Sequence, residues 1–251
     1  MDAFVKTAIN TKIATITFYN KAGNSLPGDL LNQLAQSFYN LGKDNSVQLI
    51  VLKSEGETTF CAGASFDELL SISNFEEGTK FFSGFAHVIN AMRKCEKIIV
   101  GEVQGKAVGG GVGLIAACDY VFASVNASVK LSELAIGIGP FVIEPAVSRK
   151  IGKTGVGEMA LQPTQWKDAH WAKENGLFNR VFDSNEEMRT ALKSYTEELS
   201  EYNPEALVEL KKVLWEGIDD WDHLLFERAA ISGRLVLSDF TKKALSKFKS
   251  K

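Results

Sequence analysis

Between Gly101 and Leu114 the chain reads GEVQGKAVGGGVGL, with Gly105, Gly109, Gly110, Gly111 and Gly113 inside nine positions. A glycine costs about 1 kcal/mol against alanine wherever regular structure would accept either. Five together therefore point to close approach of backbone. Three consecutive glycines at a helix start leave N–H groups free beside the positive end of the helix dipole. That place suits an anion or a polarised carbonyl oxygen; close packing is the plainer alternative. No Gly-Lys-Ser/Thr closes the run and no acidic partner on a following strand supports it, so neither a P-loop nor a dinucleotide fingerprint is present.

Two other segments carry groups of the right kind. Phe60-Cys61-Ala62-Gly63-Ala64-Ser65 follows a strand pattern, and its small residues let a backbone N–H point outward unobstructed. A tight turn would need the same residues. Glu133 lies in Leu131-Ser132-Glu133-Leu134-Ala135-Ile136-Gly137-Ile138-Gly139-Pro140, a largely apolar stretch. A buried carboxylate must be paired or have its pKa raised, which makes it useful for proton transfer; a salt-bridged or surface glutamate is the alternative. Glu144 in Phe141-Val142-Ile143-Glu144-Pro145 is a second candidate acid, or else a first-turn acid favoured by a helix dipole. His87, His170 and His223 have no metal-like spacing. No metal site is expected.

The elements that must position these groups show in the hydrophobic pattern. Residues 3–9 and 13–18 predict a hairpin. Pro27 opens a helical stripe of Leu30, Leu31, Leu34, Phe38 and Leu41 that Gly42 can end. Strands are predicted at 47–53, 98–103 and 119–123, with helices at about 75–93 and 111–118 between them. This alternation argues for an α/β core with covered faces. After residue 140 the pattern turns helical, with candidates at 144–151, 155–161, 165–175, 184–202, 204–215 and 219–247, the last either continuous or interrupted. A core domain over 1–195 and a helical region over 196–251 follow.

The totals bound the rest. The chain has 251 residues, 45% of them hydrophobic and 24% charged, which suits a folded globular domain. With a formal net charge of -3 and no concentrated basic footprint over most of its length, no nucleic-acid partner is expected. Lys242, Lys243, Lys247, Lys249 and Lys251 form a basic tail, either a solvated helix end or a partial phosphate contact. Cys61, Cys95 and Cys118 form no CxxC pair and are expected to be reduced and buried. The N-terminus does not read as a signal peptide and no run of 18 apolar residues occurs, so a cytoplasmic location and no membrane partner are expected.

Taken in order, FCAGA at Phe60–Ala64, GKAVGGGVGLIAACD at Gly105–Asp119, Glu133 with Gly137 and Pro140, and Ala169-x-x-Ala172-x-x-x-Gly176-Leu177-x-x-x-Val181 resemble the crotonase superfamily of enoyl-CoA hydratases and isomerases. The resemblance spans almost the whole chain. It implies a spiral of ββα units followed by a C-terminal helical trimerisation region, and a homotrimer or dimer of trimers. It implies an acyl-CoA thioester as substrate, with coenzyme A part of that substrate and no other cofactor. The amides of Ala64 and Gly110 would form an oxyanion hole. The turn Ala22–Leu26, including Asn24 and Ser25, would lie along the coenzyme together with Ala62, and Lys242 or Lys243 would add a basic contact.

The sequence also departs from that pattern. Family hydratases use two glutamates; one position matches Glu133, and the other is Gly113 here. Ser65 stands where many members carry Asp. One retained carboxylate resembles the Δ3,Δ2-enoyl-CoA isomerase branch, in which a single glutamate moves a proton from Cα to Cγ. If the chain doubles back at Pro140, Glu144 and Glu133 would share a cavity and restore a pair. The expected activity is therefore enoyl-CoA isomerisation. The alternatives are an enoyl-CoA hydratase or related lyase, and a non-enzymatic acyl-CoA-binding or scaffold subunit.

Overall fold

A computed structural model describes the backbone of residues 2–249; Lys251 of the basic tail and the side chain of Lys249 lie outside the described residues. The hairpin is present as β1 (Phe4–Asn10) and β2 (Ile13–Tyr19), antiparallel from Phe4↔Tyr19 to Asn10↔Ile13. Then follow α1 (Gly28–Gly42), β3 (Leu49–Ser54), β4 (Thr59–Cys61), α2 (Phe66–Ser71), α3 (Phe75–Lys94), β5 (Ile98–Val103), β6 (Lys106–Val108), α4 (Gly110–Ala117), β7 (Tyr120–Ser124) and β8 (Ser128–Lys130). A short 3-10 turn at Glu133–Ile136 leads to α5 (Glu144–Ala160), β9 (Lys167–Asp168), α6 (Ala169–Glu174) and β10 (Arg180–Phe182). The chain closes with α7 (Asn185–Leu199), α8 (Pro204–Leu214), α9 (Trp221–Leu235) and α10 (Asp239–Lys249).

The strands divide between two sheets in a regular way. One sheet has the order β1-β2-β3-β5-β7-β10, the other β4-β6-β8-β9. In the pairs β3–β4, β5–β6 and β7–β8 the first strand joins the larger sheet and the second joins the smaller one. A helix follows each pair. This repeated step makes the ββα spiral. From β2 through β3, β5 and β7 to β10 the adjacent strands run parallel to one another, as strands joined by crossovers can.

The nearly continuous apolar character of β3 and β5 has a direct cause. Alternate side chains point to opposite faces, and both faces are covered. Ile50, Leu52 and Ile99 enter the main core, whereas Leu49, Val51, Ile98 and Val100 join Phe122, Met188, Leu192 and Leu207 in a second core under α7 and α8.

Several boundaries differ from the sequence expectation. Residues 165–168 are not helical: Lys167–Asp168 pairs antiparallel with β8, and the Asp168 side chain then caps α6 by accepting from Trp171 N at 2.8 Å. The expected helices at 144–151 and 155–161 are present, broken apart at Gly152 with its φ of +69°, and the 219–247 pattern is interrupted between Leu235 and Asp239. Strands β4, β6, β8, β9 and β10 were not foreseen, since two or three residues carry no readable period.

The C-terminal helices pack back onto the same chain. Gly78 and Gly233 let α3 and α9 touch, a Cβ on Gly78 falling 2.8 Å from the Gly233 carbonyl oxygen. Lys211 of α8 is tied to Asp119 at 3.1 Å with both side chains 3% exposed. Asp119 also accepts from Ile99 N at 2.7 Å and Trp215 Nε1 at 2.6 Å. Among the described residues no helix is long and apolar enough to cross a membrane.

Candidate active site

The FCAGAS segment and the glycine run come together because β4 and β6 are neighbours in the smaller sheet. Residue 63 has φ +90°, a conformation that favours glycine, and a Cβ there would lie 2.9 Å from the Val108 carbonyl oxygen and 3.6 Å from Gly110 N. Ala64 and Gly110 thus sit beside each other, and both line one cavity. Gly110 is the first residue of α4, so its N–H is one that the helix cannot satisfy. Among the described residues the N–H groups of Ala64 and Gly110 meet no protein acceptor. The ring of Phe85 lies against Gly110, where a Cβ would meet its Cε1 at 2.2 Å. An alanine at 110 would displace that ring.

Glu133 reaches the same place from the opposite wall. It begins the 3-10 turn after β8. A Cβ on Gly109 would meet Glu133 Oε1 at 2.7 Å, so the carboxylate lies against the backbone immediately before Gly110. The residue as a whole is half-buried, but Oε2 is sealed from solvent without a hydrogen-bond partner. Burial pushes the Glu133 carboxyl up to about 7. Of the described residues lining the cavity it is the one with an ionisable side chain; Ser132 and Ser232 add hydroxyls and the rest are apolar or glycine.

Glu144 is placed elsewhere. The chain does turn at Pro140, but Ile143 faces the cavity and Glu144 does not line it. The Glu144 carboxylate, first in α5, accepts from Ser148 and Lys153 and has Arg228 at 4.0 Å. Burial works to raise it, yet Lys153 and Ser148 hold it below the usual carboxylate range. The expectation that both acids could share one cavity is corrected: Glu144 begins helix α5 and its carboxylate is held by Ser148 and Lys153, outside the cavity that Ile143 lines.

The position of Gly113 explains more than its sequence could. A Cβ there would lie 2.4 Å from Ile143 Cγ2 and 2.7 Å from Ile143 Cβ. Ile143 occupies the space that a longer side chain at 113 would need. Ser65, the other departure, caps α2 by accepting from Glu68 N at 3.4 Å, while Glu68 Oε2 accepts from Gly28 N at 2.9 Å.

The Ala22–Leu26 turn is stapled to the FCAGAS segment. Ala62 N donates to Gly23 O at 2.9 Å, Leu26 N to Gly63 O at 2.8 Å and Ser65 N to Leu26 O at 3.2 Å. Ala22 and Ala62 form the exposed edge; Asn24, Ser25 and Leu26 are buried. The Asn24 side chain is committed to the fold, accepting from Asn20 N at 3.0 Å and donating to the Glu55 and Thr59 carbonyls at 2.8 and 2.9 Å. Lys242 is exposed on α10, next to Phe240 and Thr241, which meet Gly137 at the end of the 3-10 turn that Glu133 begins. Sequence reasoning missed Phe85, Ile143 and Ser232 as site residues. On a helical stripe such side chains read as ordinary core.

The fold and the cavity define a crotonase-type α/β spiral. A solved enoyl-CoA hydratase from Bacillus halodurans has the same architecture, with a TM-score of 0.90 at 22% identity over 97% of this chain and 99% of that one. The chain is 29% identical over 240 residues to the short-chain-enoyl-CoA hydratase of Clostridium acetobutylicum, covering 94% of this chain and 91% of that protein. It is 28% identical over 206 residues to the peroxisomal Delta(3,5)-Delta(2,4)-dienoyl-CoA isomerase of Arabidopsis thaliana, covering 76% and 72%. The enoyl-CoA hydratase/isomerase family matches over residues 8–247. The chain belongs to the enoyl-CoA hydratase/isomerase family of enzymes.

Proposed function

We propose that the protein is an enoyl-CoA isomerase that shifts a double bond in an acyl-CoA thioester through an enolate. The observation that carries this is the single ionisable side chain on the cavity, Glu133, with Ile143 filling the space beside Gly113. The thioester carbonyl oxygen accepts from the Ala64 and Gly110 amides. The Glu133 carboxylate takes a proton from Cα, and the electron pair of that C–H bond moves into a dienolate. Protonated Glu133 then returns the proton to Cγ, and the electrons reform the carbonyl and a Cα=Cβ bond. One carboxylate serves both steps, and no water enters the balance. A carboxyl near 7 is partly ionised at neutral pH and suits both directions of transfer. Ala22, Ala62 and the backbone of the Asn24–Leu26 turn bind the coenzyme part, and Lys242 supplies its basic contact.

Hydration is the second reading, favoured by the similarity to the Clostridium acetobutylicum hydratase and by the Ser132 hydroxyl beside Glu133. The purified protein with 3-enoyl-CoA and 2-enoyl-CoA separates the two: isomerisation of the first without hydration of the second is expected. Rapid hydration with no double-bond shift would overturn the isomerase reading. A protein inert on a broad panel of thioesters would instead be an acyl-CoA-binding or scaffold subunit.

We further propose a homotrimer or dimer of trimers, with residues 196–251 carrying the assembly contacts. Leu210, Val213 and Leu214 of α8 are 51%, 58% and 48% exposed, and Arg149 beside Leu214 has buried Nε and Nη2 atoms without partners. The exposed apolar side chains favour burial against another copy, while the Arg149 guanidinium beside them is stacked on Trp215. Sedimentation equilibrium is expected to give three or six times the chain mass.

A further inference from the structure

The cavity that Glu133 shares with Ala64 and Gly110 is strongly aromatic, and none of its described lining residues is cationic. Its volume is about 160 Å³, comparable to the ~150 Å³ engineered apolar cavity that takes benzene. Five phenylalanines line it: Phe66, Phe81, Phe82, Phe85 and Phe141. Phe81 and Phe82 meet edge to face with centroids 5.0 Å apart.

Phe141 has a particular hold. A Cβ on Gly139 would fall 2.4 to 2.8 Å from Phe141 Cζ, Cε2 and Cε1. The ring therefore folds back across the Pro140 turn onto bare backbone. That contact fixes the ring as a wall that other residues at 139 would push away. Among the described lining residues there is no Lys, Arg or His. Among the described lining residues an anionic acyl terminus would have Glu133 as its one charged neighbour and no cation to pair it, which disfavours its burial there.

We propose that the acyl group taken here is short and uncharged, and that Phe141 sets its length. This rests on the acyl-thioester reading above but not on which reaction follows binding. The test is calorimetric binding of unreactive saturated thioesters to the full-length protein: valeryl-CoA, decanoyl-CoA and glutaryl-CoA. Decanoyl-CoA and glutaryl-CoA are each expected to bind at least 10-fold more weakly than valeryl-CoA. Phe141→Ala is expected to strengthen decanoyl-CoA binding about 10-fold and leave glutaryl-CoA weak. Phe141→Leu, a smaller change, is expected to shift the preference the same way by a lesser factor, and guards against a misfolded alanine variant. Decanoyl-CoA or glutaryl-CoA binding as tightly as valeryl-CoA would overturn the proposal. So would an unchanged length preference in both folded variants. No saturable binding of any of the three would overturn the acyl-thioester reading and this proposal together, whereas hydration in place of isomerisation would leave the length and charge preferences standing.

Discussion

The catalytic role proposed for Glu133 and its cost in stability have opposite pH consequences. Its carboxyl is raised from 4.5 to about 7 in the folded chain, so folding favours the protonated form. The stability linked to it is fullest below 4.5, declines between 4.5 and 7 and is fully lost above 7. In the proposed mechanism activity runs the other way, because the carboxylate serves as the base. The value of kcat/KM is expected to rise through pH about 7 and then level off, as a pH–rate profile would show. Glu133→Gln should lower kcat by about 10²–10⁴ while raising stability at pH 8 by about 1–3 kcal/mol, measured by urea unfolding. A variant that lost stability at pH 8 would show the carboxylate to be paired rather than stranded. The oxyanion donors need a different probe, since no side chain carries them. Replacing the Ala64 amide by an ester, which swaps N–H for O with little change of shape, should cost about 3–4 kcal/mol of transition-state stabilisation. Unchanged kcat in a folded ester variant would remove that amide from its role.

Helices α4 and α5 decide what kind of site this is. Their packing sets Ile143 on Gly113 and sends Glu144 to Ser148 and Lys153. Gly113→Ala should destabilise by about 1–3 kcal/mol through overpacking. Ile143→Ala alone should cost about 2–5 kcal/mol as a cavity. The double variant should lose less than the two costs together, with a coupling of about 0.5–3 kcal/mol, because the new methyl enters the space vacated. Additive losses in thermal unfolding would show that the two residues do not share that space.

At the scale of the molecule, the buried Lys211–Asp119 pair is where the terminal helices are held to the spiral. Lys211 also donates to the Met92 and Lys97 carbonyls, and Asp119 ties α8 to β5 through Ile99 N. Removing one partner strands the other charge in the interior. Asp119→Ala should therefore cost about 3–5 kcal/mol, while Lys12–Glu201, on the surface with side chains 38% and 73% exposed, should contribute less than about 1 kcal/mol. Denaturant midpoints for Asp119→Ala and Lys12→Ala would check the contrast. Helix α9, packed on α3 through Gly78 and Gly233, places Ser232 on the cavity.

The sequence by itself determined the long elements, because their periods are written over many residues: the α1 stripe from Leu30 to Leu41, the unbroken apolar β3 and β5, and the capped start of α8 at Asn203-Pro204. It also marked the glycine run and FCAGA, since glycine at such density is costly unless backbone must come close. It did not reveal β4, β6, β8 or β9, whose two or three residues carry no period and form only through pairing with one another. Whether Glu133 was buried or paired, and whether Glu144 joined it, was open for the same reason. Which side of a helix faces a cavity depends on what packs against its other side. Only tertiary packing put Phe85 on Gly110, Ile143 on Gly113 and one buried, unpartnered carboxylate oxygen beside an apolar cavity.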